Sequence, residues 1–75
     1  MRHYTINSTR VTRKEFFNSL KADCQRIAST VQVGALGVDI MEFDPQKYQR
    51  TLRNLQAGHM VLMQHSGKTY CSYRG

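Results

Sequence analysis

The side chains able to do chemistry are few, and their spacing restricts what they can do. Cys71 has His59 and His65 nearby in sequence, the makings of a nucleophile and its base. No Cys-His or Ser-His-Asp signature surrounds them, and a cysteine in line with Leu62 on a hairpin reads as packing. No catalytic residue is assigned. His3, His59 and His65, with Cys24 and Cys71, do not stand at metal-ligand spacing. Asp39, Glu42 and Asp44 lack the glycine turn and ligand periodicity of a calcium loop, so neither metal nor cofactor is expected. Gly34-Ala35-Leu36-Gly37 matches the GxxG of a KH loop. Its middle positions are apolar rather than basic, and Val31-Gln32-Val33 before it does not read as a helix. A bend between extended segments is the better reading.

Charge says more than any motif. Eleven Lys and Arg against five Asp and Glu give a formal +6, with a pI near 9.8. The bases gather at the two ends of the chain. Residues 1–14 carry Arg2, Arg10, Arg13 and Lys14 with no acid, and residues 45–75 carry Lys47, Arg50, Arg53, Lys68 and Arg74 with no acid. All five acids lie between. Such a distribution suits a polyanionic partner, because cations near phosphates release condensed counterions. A solvated face that keeps a small protein soluble is the plainer alternative.

The elements that must position these groups follow from local patterns. Thr12 and Glu15 form a capping box, flanked by Val11 and Phe16 as a hydrophobic staple. Phe16, Leu20, Cys24 and Ile27 continue at helical spacing, which predicts a first helix over 13–28. Asp44-Pro45 is a second start, with Phe43 stapled to Tyr48 and a stripe of Tyr48, Leu52 and Leu55 before Gly58, predicting a helix over 45–57. On its opposite face Gln46, Arg50 and Arg53 align, with Lys47 beside them. Residues 2–7 alternate as a short strand before an Asn7-Ser8-Thr9 turn. Residues 29–42 read as an irregular connection with one or two short extended pieces. Residues 60–65 and 68–73 read as a hairpin about Ser66-Gly67, pairing Met63 with Tyr70 and Leu62 with Cys71. Its two faces are Met60, Leu62, Cys71 and Tyr73, and Val61, Met63 and Tyr70. Both are partly apolar, so the second is either covered or kept for a partner.

Seventy-five residues leave room for one domain, over 1–75, which the patterns place in the α+β class. There is no internal repeat, no apolar run of spanning length and no apolar signal region after Met1-Arg2-His3-Tyr4, which predicts a cytoplasmic protein without a membrane association. Two cysteines without a CxxC spacing suit free thiols in a reducing compartment.

Tyr4-Thr5-Ile6-Asn7, Val11-Thr12-Arg13-Lys14-Glu15-Phe16-Phe17 and Leu20-Lys21 together resemble the start of many short polypeptides encoded in phages and prophages of Gram-positive bacteria. The resemblance covers about the first quarter of the chain. It implies an intracellular accessory protein made during infection or lysogeny and assigns no binding residue. The acidic composition of nucleic-acid-mimicking phage inhibitors is absent.

Two functions fit these observations. The first is a non-enzymatic nucleic-acid binder, with Lys47, Arg50 and Arg53 as phosphate contacts and Arg10, Arg13 and Lys14 as a second cluster. The second is a regulator or inhibitor of a host or defence protein, comparable in role to an anti-CRISPR. It would use Val61, Met63 and Tyr70 as an apolar patch, which also suits a homodimer.

Overall fold

The chain supplies its helix starts locally, and the structure uses both. A computed structural model describes all residues 1–75. Its elements in order are β1 (Arg2–Ile6), β2 (Thr9–Val11), α1 (Arg13–Asp23), β3 (Gln25–Val33), β4 (Leu36–Phe43), α2 (Pro45–Gln56), β5 (Val61–Leu62) and β6 (Thr69–Arg74). The class is α+β. Thr12 caps α1 by accepting the Glu15 amide at 3.2 Å. Asp44 caps α2 by accepting the amides of Gln46 and Lys47, each at 3.1 Å. The Phe43 and Tyr48 rings meet at 5.9 Å across that start, and Gly58 at φ 86° follows the end of α2.

Four strands form an antiparallel sheet in the order β2-β1-β6-β5. β1 and β2 are joined by Asn7-Ser8, both at positive φ, a two-residue turn whose twist matches the strands. Sequence reading placed a turn here but not the short strand after it. β6 runs between β1 and β5, pairing Arg2 with Arg74, Tyr4 with Ser72 and Ile6 with Tyr70. Both helices pack against this sheet. The core between them is Phe16, Leu20 and Cys24 from the α1 segment, Leu55 from α2, and Met63 and Tyr70 from the terminal hairpin.

Three expectations are corrected. Helix α1 stops at Asp23 instead of 28, because Cys24 leaves helical geometry at ψ 84° while its amide still bonds the Leu20 carbonyl. Ile27 is therefore a strand residue and half exposed. Residues 29–42 are not irregular. They belong to an antiparallel ribbon in which β3 pairs with β4 from Gln25–Phe43 to Val33–Leu36, with a bulge between Ile27 and Ser29. Gly34 at φ 64° opens its two-residue Gly34-Ala35 turn, the position where a type II′ hairpin prefers glycine. The GxxG is thus a hairpin tip, and Gly37 is a ladder residue opposite Gln32.

The third correction concerns the terminal hairpin. Val61 pairs with Tyr70 and Leu62 with Thr69, two positions away from the expected register. The shift is even, so the grouping of faces survives. Their assignment is decided by burial: Met63 and Tyr70 are 2% and 0% exposed, while Met60 and Leu62 are over half exposed.

The ribbon packs chiefly on itself and extends beyond the sheet. The molecule measures 51 × 22 × 19 Å with a radius of gyration of 14.5 Å, against about 11 Å for a compact chain of this length. Neither helix is long and apolar enough to cross a membrane.

Candidate nucleic-acid interface

The arginines at the two chain ends converge because the ends pair. β1 and β6 lie side by side, so Arg2 and Arg74 stand directly opposite one another. Pairing of β2 with β1 reaches only Tyr4 and Val11. Beyond it the chain crosses through Thr12 to α1, which brings Arg13 back beside the open start of β1.

Two adjoining clefts result. One, of about 420 Å³, is lined by Met1 to Tyr4 and by Arg10 to Arg13. The other, of about 460 Å³, lies between the sheet and the helices and is lined by Arg2, Arg13 and Arg74 with Tyr4, Phe17, Leu52 and Ser72 among its walls. Arg2 and Arg13 are common to both. Arg10 donates a hydrogen bond to His3 Nδ1, and the His3 ring lies 5.2 Å from that of Tyr73. The Arg13 guanidinium sits 5.7 Å from the centre of the Phe17 ring, a cation–π contact that holds it without neutralising it.

None of these arginines has an acidic partner. The ion pairs of the molecule are Arg26 with Glu42 at 2.7 Å and Lys68 with Asp23 at 3.7 Å. Asp39 accepts from Thr30 at 2.9 Å, Asp44 caps α2, and Glu15 is exposed in the first turn of α1. Four of the five acids are thus engaged elsewhere and Glu15 lines neither cleft, so no side-chain carboxylate stands beside the cleft arginines.

The remaining expected contacts are distributed unevenly. Arg50 and Arg53 share a shallow groove with Gln46 and Gln49 on the outer face of α2. Lys47 turns towards the ribbon, its Nζ donating to the Gln25 carbonyl at 3.4 Å. Lys14 is exposed but lines neither arginine cleft. The α2 groove and the Arg10–Arg13 cleft have no lining residue in common. Arg2 and Arg74 join the site without having been singled out beforehand.

The apolar patch of Val61, Met63 and Tyr70 is not a surface. Met63 and Tyr70 are core, and Val61 packs against that core. Large exposed apolar residues gather instead on the ribbon. The thiols also read as structure: Cys24 is fully buried, and burial pushes its thiol above the ordinary 9.0, away from the reactive thiolate. Cys71 lies in the ladder opposite Thr5. No three of the His, Cys, Asp and Glu side chains gather in a way that could hold a metal ion.

Comparison with protein-family models, with curated protein sequences and with solved structures finds no match for this chain.

Proposed function

We propose that the protein binds nucleic acid through the surface formed by Arg10, Arg2, Arg13 and Arg74, with Arg50 and Arg53 as a separate flanking contact. The observation that carries this reading is four arginines lining two adjoining clefts with no carboxylate among them. Guanidinium groups match phosphate geometry with two parallel donors each. The clefts also expose Tyr4 and Phe17, apolar walls against which a base can stack. Phosphate contacts position a chain without reading its sequence, so binding with little sequence preference follows.

The test is the salt dependence of binding to an unmodified oligonucleotide. Each neutralised phosphate contributes a log–log slope of about −0.9 on duplex DNA or about −0.7 on a single strand. Changing Arg10 and Arg13 together to Gln should weaken binding to all sequences alike and make the slope shallower by about 1.5 to 2. The pair Arg50→Gln and Arg53→Gln should act in the same sense, independently. If the Arg10/Arg13 variant binds as well as the parent at low salt with its fold intact, this surface is only solvated.

A further inference from the structure

The cleft between sheet and helices holds a polar group that the protein leaves unsatisfied. Side chains at even positions of β1 and β6 share the face turned to the helices. Along it, Ile6 and Tyr70 sit at the core, Tyr4 and Ser72 come next, and Arg2 and Arg74 stand at the mouth. Ser72 is 3% exposed, and its buried Oγ has no hydrogen-bond partner. Burying a hydroxyl without a partner is costly, and folded proteins seldom do it.

Two further features of the same cleft point to one kind of occupant. Like charges directly opposite across a ladder repel, yet Arg2 faces Arg74, and Arg13 adds a third charge to the lining. An oxyanion between them removes the repulsion, and it accepts from Ser72 once that side chain, whose oxygen is closed to solvent as it stands, turns about its Cα–Cβ bond into the cleft it lines. The volume of about 460 Å³ falls in the range of small-molecule sites. It exceeds what a bare phosphate fills, and the remaining wall is apolar, from Tyr4, Phe17 and Leu52.

From this geometry we infer that the cleft of Arg2, Arg13, Arg74 and Ser72 binds the terminal phosphate monoester of a nucleic-acid end, with the first nucleoside against Tyr4 and Phe17. The inference rests on the nucleic-acid reading and narrows it from backbone contact to recognition of an end. The three guanidinium groups match a dianion better than the single charge of an internal diester. Turned into the cleft, the Ser72 hydroxyl donates to one phosphate oxygen.

Titration calorimetry with a 5′-phosphorylated trinucleotide, its 5′-hydroxyl counterpart and inorganic phosphate tests this. The phosphorylated trinucleotide should bind at least about tenfold tighter than the other two, and its advantage should shrink below about pH 6, where the monoester takes up its second proton. Ser72→Ala should lower that affinity about tenfold while the thermal midpoint of the empty protein stays the same or rises, because an unpaired buried hydroxyl has been removed. Arg74→Gln, at an exposed position, should also lose the preference, so the test does not depend on one variant folding. Equal binding of the phosphorylated and hydroxyl forms overturns the inference, as does inorganic phosphate binding as tightly as the trinucleotide, or Ser72→Ala with unchanged affinity. Long strands that bind with a steep salt slope but without end preference leave the nucleic-acid reading standing and remove this one. A preference for the phosphorylated end without any binding of longer unmodified strands overturns the broader reading alone.

Discussion

Tyr70 shows how one side chain fastens a strand to a helix. Its ring is fully buried and lies 5.5 Å from that of Phe16. Its hydroxyl donates to Asp23 Oδ2 and lies 2.8 Å from Ser19 Oγ. Lys68 Nζ closes the group by donating to Ser19 Oγ at 3.3 Å. Tyr70→Phe keeps the ring and removes the hydroxyl, leaving a largely buried carboxylate with fewer partners. We expect a loss of about 1–3 kcal/mol. Burial, then the hydrogen bond to Asp23, holds the tyrosine well above its ordinary 10.0. The folded chain therefore keeps a proton that the unfolded chain releases, so this contribution is whole below pH 10 and declines as pH rises beyond it. Cys24, raised by burial, acts in the same sense from about pH 9. Thermal midpoints of parent and variant over about pH 7 to 11 check this: the decline above pH 10 should be shallower in Tyr70→Phe. Parallel declines would remove Tyr70 from the linkage. The same scale shows why the cleft was only half legible. Arg13 stands in a run of bases beside a clear helix start and attracts notice. Arg2 and Arg74 come from opposite ends of the chain, and nothing local signals that β1 and β6 will lie side by side.

At the scale of elements, starts were legible and the end of α1 was not. Thr12 and Asp44 declare their helices because a cap is a short-range device: one side-chain oxygen and an amide two or three residues on. Helix α1 ends without glycine or proline, so its apolar period runs on into Gln25 and beyond with no stop signal. What ends it is pairing of residues from 25 onward with β4, an interaction with residues far along the chain. The ribbon was missed for a related reason. Gly34 and Gly37 look alike as breaks in sequence, but one makes the turn and the other sits in the ladder. Thr12→Ala tests the local device. It removes the oxygen that accepts the Glu15 amide and should cost about 1 kcal/mol, which in a domain this small lowers the melting temperature by about 4–8 °C. Calorimetry reads the difference directly. An unchanged midpoint would show that the α1 start is held by the Val11–Phe16 packing alone.

The whole molecule carries an apolar face with nothing of its own to cover it. On the ribbon, Val31 faces Val38, Val33 faces Leu36 and Ser29 faces Ile40, while Thr30, Gln32 and Asp39 lie on the reverse. The five large apolar side chains are 45–73% exposed. Such clean alternation is the pattern of strands with one face covered and one wet, and an apolar patch of this kind marks a contact surface. At its base the only charges, Arg26 and Glu42, pair with each other. The stripe therefore offers no charge to choose a charged partner, and an apolar surface is what complements it. A two-fold pair of ribbons is one arrangement that meets this, each covering the other's face, and its test is the oligomeric state in solution. We expect concentration-dependent dimers in sedimentation velocity that persist at high salt, since apolar burial, unlike phosphate contact, is not weakened by counterions. Val31→Lys with Val38→Lys puts two like charges opposite one another on the stripe and should leave monomers. Because the helices pack on the four-stranded sheet and not on this face, the helical circular-dichroism signal and the Arg10/Arg13 salt slope should both be retained. A parent protein that stays monomeric up to millimolar concentration would overturn the pairing of ribbons. A variant that loses both its dimers and its helical signal would show that the ribbon is tied to the folding of the sheet domain.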